Sequence, residues 1–274
     1  MKIVNGILAF LFNVCLIFSV AVGSVFAIAS SPNYYYEQFE KTGVYARVDE
    51  NGVEKRKVIR YVGGDAKNIA TFSDEQLNLI IDHIIGYLFT DMESFELVMD
   101  DVDLNGEQTD GVAIFGKIAV THMQDVKGLL KTLGIVAIVM GVTAVGLLIY
   151  FIISAIKGKG GKLFKYTLIF YGSFAGLIGA FCLFTLVENL VLGIDLAYYV
   201  ALLWRNFHFI IFPNPEQAMG SFFNDTLTMI LSLDLFMAAV VQVLVILACS
   251  VAAWMAIAKV LDRRVKAFEW VKED

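Results

Sequence analysis

The sequence predicts a mainly α-helical integral membrane protein with four transmembrane helices and a small α+β extracytoplasmic domain between the first two. Of its 274 residues, 58% are hydrophobic and 18% are charged, whereas soluble domains are typically about 25% charged. The apolar residues are collected in four runs, each long enough to supply the roughly 20 residues that cross a bilayer as a helix. These runs are residues 4–29, 132–156, 166–190 and 233–258.

The first apolar run predicts a permanent helix and not a signal peptide. The hydrophobic part of a signal peptide spans about 7–15 residues, and the run at 4–29 is much longer. Small residues near its end resemble a cleavage site, but its length outweighs that signal. We therefore expect residues 1–30 to form an uncleaved transmembrane helix.

Basic residues near the ends of the apolar runs predict the topology. The loop 157–165 holds four lysines, and the tail 259–274 carries a cluster of arginines and lysines. Short segments of this kind lie in the cytoplasm. With Lys2 on the same side, both termini are expected to be cytoplasmic. The segments 31–131 and 191–232 are then extracytoplasmic, and the second of them is expected to be partly re-entrant.

The outer segment between the first two helices is expected to be acidic and to fold as α+β. It holds ten Lys/Arg and eighteen Asp/Glu. Strand-forming residues flank the Asn-Gly pairs at 51–52 and 105–106, and this pair is the strongest short signal for a hairpin. Between them, Ser73 and Gln76 form a capping box. The apolar residues that follow, within 77–88, recur at helical spacing and predict a helix.

The sequence argues against nucleic-acid binding and predicts no metal and no cofactor. The net charge is −6, and no basic, aromatic-lined patch is present. Residues 101–106 begin like a calcium loop, but Val112 stands where such a loop needs its bidentate glutamate. We expect an acidic hairpin turn there instead. The chain contains no C-x-x-C pair, no H-E-x-x-H motif and no nucleotide or nucleophile signature.

Two of the three histidines, His122 and His208, lie beside the outer ends of predicted helices. Histidine titrates near neutral pH, and an ionisable group at membrane depth often has a functional role. Asp125 shares a helical face with His122, where a carboxylate can orient an imidazole. His208 follows Arg205 in an aromatic segment that ends at prolines. An interfacial polar group and an aromatic belt explain the two positions equally well on the residues alone. His83 is expected to be a structural or surface histidine.

Two motifs around these histidines resemble signatures of the lipoprotein intramolecular transacylase (Lit) family. THMQDVKGLL at 121–130 resembles H-M-x-D-V-(K/R), which stands just before a transmembrane helix. FHFIIFPN at 207–214 resembles the family's F-H-x-x-F-F-P-x-N segment. The segments 31–45, 77–88 and 224–230 are also similar to family segments. The sequence departs from the family pattern where NPEQAMG stands in place of a usual tryptophan.

The resemblance implies a membrane acyltransferase of the Gram-positive cell envelope. Such an enzyme moves an O-acyl chain of the diacylglyceryl-modified N-terminal cysteine of a lipoprotein to that cysteine's own α-amine. The product is the N-acyl, S-monoacylglyceryl lyso form. The expected partners are diacylglyceryl lipoproteins and membrane lipids. The expected enzyme is a monomer in the cell membrane with its active site on the extracytoplasmic side.

The residues with these motifs then acquire roles. We expect His122 and His208 to be the acid–base pair, with the assignment between them open. Asp125 would orient His122, and Arg205 would stabilise the oxyanion. The residues expected to bind substrate are Phe207, Phe209, Phe212, Asn214 and Asp225.

Three other classes of function remain open on the sequence. A non-enzymatic sensor or adaptor would tolerate replacement of both histidines. A transporter is less consistent with helices that lack charged interior residues and paired breaks. A metal-dependent membrane hydrolase would need three or four ligands, for which two histidines and a carboxylate are available.

Overall fold

The chain forms two compact units in the computed structural model. The helical unit comprises residues 1–24, 134–207 and 243–274, and the mixed unit comprises residues 25–133 and 208–242. Each is described separately below. The structure describes residues 2–48, 51–52, 54–159, 161–193, 198–199, 202, 206, 209–210 and 226–273.

Four long helices in the described part of the chain are apolar and long enough to cross a membrane. They are α1 (Lys2–Ala29), α4 (Lys117–Ile156), α5 (Leu163–Leu192) and α7 (Leu233–Glu273). By length and composition, the candidate spans within them confirm the four predicted apolar helices. Helix α4 begins well before residue 132, and α7 continues through nearly all of the predicted tail 259–274.

The short helices belong to the mixed unit. They are α2 (Pro32–Thr42), α3 (Asp74–Phe89) and α6 (Thr226–Ile230). Helix α2 starts at its proline and ends at Gly43, whose φ of 71° is the left-handed conformation that favours glycine.

Both predicted hairpins are present in the mixed unit. Strands β1 (Arg47–Val48) and β2 (Glu54–Lys55) pair antiparallel around the first Asn-Gly. Strands β6 (Val102–Leu104) and β7 (Glu107–Thr109) pair around the second, where Asn105 and Gly106 have φ of 57° and 87°. Positive φ at both turn residues is the geometry that Asn-Gly favours.

The largest sheet has four antiparallel strands in the order β3-β4-β6-β7. Strand β3 is Val58–Arg60 and β4 is Ile69–Thr71, with Ala70 opposite Leu104 of β6. A second pair joins β5 (Val98–Met99) to β8 (Val112–Ala113). The acidic segment 101–106 therefore runs through β6 into the hairpin turn at Asn105-Gly106, as expected, and is not a loop between helices.

The predicted capping box starts α3. The Ser73 hydroxyl accepts a hydrogen bond from the Gln76 N–H at 3.2 Å, and the Gln76 side chain accepts one from the Ser73 N–H at 2.9 Å. These two bonds satisfy donors that a helix start otherwise leaves open. The apolar face of α3 then packs into the core of the mixed unit. Its buried residues are Leu77, Ile80, Ile81, Ile84 and Tyr87.

Aromatic packing joins three helices of the helical unit. Phe12 of α1 packs against Phe151 of α4, with ring centroids 5.9 Å apart, and against Trp254 of α7 at 4.2 Å. The Trp254 indole N–H donates to the Thr167 hydroxyl of α5 at 3.1 Å. A buried indole needs such an acceptor, so this bond fixes α5 against α7.

The first turn of α5 is completed by a residue distant in sequence. The Asp262 carboxylate of α7 accepts hydrogen bonds from the Leu163 N–H at 2.9 Å and the Phe164 N–H at 3.0 Å. The preceding residue, Lys162, makes no side-chain cap and has a φ of 70°. A carboxylate at this position satisfies open donors and interacts favourably with the helix dipole.

Candidate active site

The site is built on the first turns of α4, which carry two of the predicted residues. His122 is 7% exposed, and its neighbours Ala119 and Met123 are also buried in the core of the mixed unit. Asp125 is half-buried one turn further on. Because residues three apart on a helix lie on one face, His122 and Asp125 lie at neighbouring positions on the same helix surface, as predicted.

A close backbone contact sets where α4 begins. Gly116 directly precedes the helix, and a β-carbon at this residue would lie 2.8 Å from the Gly64 Cα. The Gly63 N–H also donates to the Ile114 carbonyl at 3.1 Å. Any larger residue at 116 would force these two backbones apart. The turn at 62–64 therefore locates the start of the helix that carries His122.

Lys127 ties the same helix to the end of α3. Its ammonium group donates to the carbonyls of Thr90 at 3.0 Å and Met92 at 2.7 Å. The Nζ atom also lies 4.4 Å from the centroid of the Tyr87 ring. A cation is favourable near the carbonyl end of a helix and over an aromatic face. Lys127 stands at the (K/R) position of the first histidine motif, but that motif alone gave it no role.

His83 anchors the segment that follows α3. Its Nε2 atom lies 3.1 Å from the Phe95 carbonyl oxygen, and the two rings are 5.7 Å apart. Phe95 is fully buried and stacks on Phe115 with centroids 4.5 Å apart. His83 is half-buried, within the alternatives that the sequence left open for it.

Three consecutive tyrosines attach α2 to its neighbours in the mixed unit. The hydroxyls of Tyr34, Tyr35 and Tyr36 donate to the Leu235 carbonyl at 2.6 Å, the Ala29 carbonyl at 3.1 Å and the Asp82 carboxylate at 2.7 Å. Burial raises the pKa of Tyr35 to about 12. Burial, and then the hydrogen bond to Asp82, raises the pKa of Tyr36 to about 12. Both phenols therefore stay protonated well above neutral pH.

The short helix α6 is held against strand β3. The Lys57 ammonium group donates to the Met229 carbonyl at 2.9 Å, and the Arg60 N–H lies 3.2 Å from the Met229 sulfur. Burial lowers the pKa of Lys57, and the charge of Asp234 opposes that shift. Thr226, which begins α6, is fully buried. Helix α6, which lies downstream of the second histidine motif in sequence, is thus attached to β3 of the mixed unit.

The structure describes some of the predicted site residues and not others. His122 and Asp125 are described on α4, and Phe209 is 47% exposed. The other predicted residues lie outside the described part of the chain, and they are Arg205, Phe207, His208, Phe212, Asn214 and Asp225.

The described residues contain no cluster that fits a metal ion. Among them, no group of three or more His, Cys, Asp or Glu side chains is placed to hold one. The cysteines are unpaired: Cys15 is buried, and Cys182 and Cys249 are exposed. Separately, His122 and Asp125 give the described part of the site an imidazole and a carboxylate one helical turn apart, a combination suited to proton transfer.

Comparisons with known proteins identify the family. The family model for the lipoprotein intramolecular transacylase Lit matches residues 10–218, which is more than half of the chain and includes both histidine motifs. No curated protein matches the chain in sequence.

Solved structures with the same fold come from Bacillus cereus. The in meso structure of its membrane integral lipoprotein intramolecular transacylase Lit has a TM-score of 0.60 at 14% identity, covering 97% of this chain and 100% of that chain. A histidine-to-arginine variant has a TM-score of 0.58 at 14% identity, covering 96% and 94%. A histidine-to-alanine variant has the same TM-score and identity, covering 96% of each chain. With four apolar helices and this likeness, the chain is a multi-pass membrane protein, and by its family match it belongs to the lipoprotein intramolecular transacylase Lit family.

Proposed function

We propose that this chain moves an O-acyl chain of a lipoprotein's diacylglyceryl-modified N-terminal cysteine to the α-amine of the same cysteine. The observation that carries the proposal is the family match over residues 10–218, since it includes both His122 and His208. Membership makes the chain an acyltransferase that acts on lipoproteins. The family match favours acyl transfer over the sensor, transporter and hydrolase alternatives.

The reaction needs no nucleophile from the enzyme. The α-amine nitrogen of the substrate attacks the ester carbonyl carbon, and the bond from that carbon to the glyceryl oxygen breaks. The nitrogen gives up a proton, and the leaving glyceryl oxygen gains one, so no water is consumed. An α-amine has a pKa of about 7.7–8.0, and a nearby imidazole can keep it neutral.

Proton transfer is the task proposed for the two histidines. One takes the proton from the attacking amine, and the other gives a proton to the leaving oxygen. The half-buried Asp125 orients His122, and Arg205 stabilises the tetrahedral oxyanion. Since one lipoprotein carries both reacting groups, the enzyme gains from proximity as well.

The substrate is proposed to approach the segment that carries the second histidine motif. The apolar side chains of this segment would hold the acyl chains of the substrate, and its polar side chains would hold the glyceryl ester and the peptide. The exposed ring of Phe209 is consistent with a lipid contact. The proposed contact residues are Phe207, Phe209, Phe212, Asn214 and Asp225.

The proposed topology follows the basic residues. It places 1–30, 132–156, 166–190 and 233–258 across the cell membrane, with the loop 157–165 and the tail 259–274 in the cytoplasm. The segments 31–131 and 191–232 lie outside, where they form the site of a monomeric enzyme. The lysines of the loop 157–165 support this orientation.

Topology is tested by labelling single cysteines in a background without the native three. Ser94 and Lys159 are both exposed, so Ser94→Cys and Lys159→Cys are suitable positions. A membrane-impermeant thiol reagent applied to intact cells is expected to label only the first. Labelling of the second alone would reverse the proposed orientation.

The activity is tested with a diacylglyceryl lipopeptide and the purified protein. Mass spectrometry is expected to locate one acyl chain on the α-amine after incubation. His122→Ala and His208→Ala are each expected to lower turnover by about 10²–10⁴-fold, which is the usual contribution of general acid–base catalysis. Lys131→Ala, at an exposed position on the same helix, is the control and is expected to retain activity in the folded protein. A free α-amine with the unmodified chain would refute the proposed reaction, and full turnover in both variants would refute the histidine roles.

A further inference from the structure

One lysine links the helix that carries His122 to a rigid support. The Lys127 bridge consists of Lys127, the carbonyls of Thr90 and Met92 at 3.0 and 2.7 Å, and the Tyr87 ring at 4.4 Å. The half-buried Lys127 lies one turn beyond the buried Met123. Its stem therefore follows the core-facing side of α4 while its ammonium group reaches back to α3.

The support is fixed independently of Lys127. The Thr90 N–H donates to the Gly86 carbonyl at 3.0 Å, which closes α3. On the other side, the buried Phe95 holds the segment through its contacts with His83 and Phe115. The carbonyls that Lys127 contacts are thus attached to the core of the mixed unit at both ends.

The bridge is placed to control one predicted catalytic residue and its predicted supporting residue. His122 and Asp125 lie within one and a half turns before Lys127 on the same helix, since a turn is about 3.6 residues. A helix can rotate or slide only as a unit over so short a distance. Restraining Lys127 therefore restrains the direction in which the His122 imidazole and the Asp125 carboxylate point.

We propose that Lys127 is a positioning residue for acyl transfer, which holds α4 so that His122 and Asp125 meet the substrate in the reactive orientation. The inference rests on the proposed function only for the identity of the reaction. The bridge does not touch the substrate and contributes through His122.

The kinetic test compares three lysine substitutions. In Lys127→Met, kcat for the lipopeptide is expected to fall about 10- to 100-fold with little change in KM, because small misplacements of catalytic groups cost up to about 10²-fold. Lys127→Arg keeps the charge and the donors and is expected to recover most of the rate. Lys131→Met makes the same chemical change at an exposed position one turn later and is expected to retain the rate.

The pH dependence separates positioning from a merely structural role. Loss of folded enzyme would scale the pH profile of kcat without moving it. A displaced His122 is expected to shift the limb of the profile that reports this imidazole. A Lys127→Met profile that matches the unmodified protein in both height and position would overturn the inference.

A measurement without substrate keeps the two proposals apart. NMR titration of the imidazoles, assigned with His83→Gln and His208→Gln, follows His122 directly. Its resonance is expected to move in Lys127→Met and to return in Lys127→Arg; an unmoved resonance would overturn the inference. If Lys127→Met fails to fold, Lys127→Gln replaces it in both tests. If the unmodified protein leaves the α-amine free, the proposed reaction fails, while this titration still decides the role of Lys127.

Discussion

The two units of this protein differ in how far their apolar side chains are buried. In the mixed unit, Phe39, Ile80 and Phe95 are fully buried. In the helical unit, Leu177 and Leu190 are 70% and 77% exposed. The mixed unit is held by the larger protein core, while the helical unit has a smaller core around Phe12 and Trp254 and presents exposed apolar faces of the kind that lipid covers. His122 is buried in the core of the mixed unit, where neighbouring groups can be fixed from several sides.

The largest expected effect tests the core of the mixed unit. Phe39 is fully buried, with its ring edge-on to Tyr45 at 5.5 Å. Phe39→Ala is expected to destabilise this unit by about 3–5 kcal/mol, as deletion of a buried ring does. Leu177→Ala, at a position 70% exposed, should cost less than about 0.5 kcal/mol. Thermal unfolding in detergent measures both, and equal losses would abolish the contrast between the units.

The next prediction introduces a charge, and here the helical unit is expected to be more sensitive than the mixed unit. Leu177 lies near the middle of α5, and Leu177→Asp is expected to oppose insertion by about 3 kcal/mol. Val98 is 61% exposed on β5 of the mixed unit, and Val98→Asp is expected to cost less than about 1 kcal/mol. Alkaline extraction of membranes should release a larger share of the first variant. Comparable extraction of both variants would argue that α5 is not covered by lipid.

A smaller effect concerns the few polar contacts of the helical unit. Asp262→Ala removes the acceptor of the Leu163 and Phe164 N–H groups. A lost helix cap typically costs about 0.5–2 kcal/mol. Asp262→Asn keeps one acceptor oxygen and is expected to fall between the two in melting temperature. An unchanged melting temperature in Asp262→Ala would mean that the start of α5 finds another acceptor.

The smallest effect is a pH dependence that Tyr35 gives to the mixed unit. The pKa of Tyr35 is raised by burial from 10.0 to about 12, so the folded state retains this proton more tightly than the unfolded state. The stabilisation is therefore complete below about pH 10 and is lost as pH rises toward 12. Tyr35→Phe should show a flatter decline in melting temperature across this range. A decline identical to that of the unmodified protein would assign the effect to other groups.

Local signals account for the parts of the fold that the sequence predicted. Long apolar runs, two Asn-Gly pairs and a capping box can each be recognised within one continuous stretch of sequence, and each is present in the structure. The predicted membrane span within α4 begins only at residue 132 because hydropathy falls around residues 121–125. The helix continues there because Ala119 and Met123 recur on a buried face.

The candidate site likewise has a part that local sequence patterns predict and a part that they do not. His122 and Asp125 were predictable from a motif and from helical spacing. The partners of Lys127 were not, because Thr90 and Met92 are 37 and 35 residues away in sequence. Lys57 and Met229 are separated by 172 residues. A pattern in one sequence does not indicate which distant carbonyl a lysine will find when the core forms.

The cap on α5 has a consequence for how the protein is made. The carboxylate that completes the first turn of α5 comes from Asp262, which is 99 residues later than Leu163. The Thr167 hydroxyl of α5 likewise cannot accept its hydrogen bond from the Trp254 indole until α7 has been synthesised. At about 5–20 residues per second, the ribosome delivers these partners several seconds after α5 has emerged. During that interval α5 can be inserted, but its first turn lacks its cap. Helix α7 therefore completes a helix that was synthesised before it.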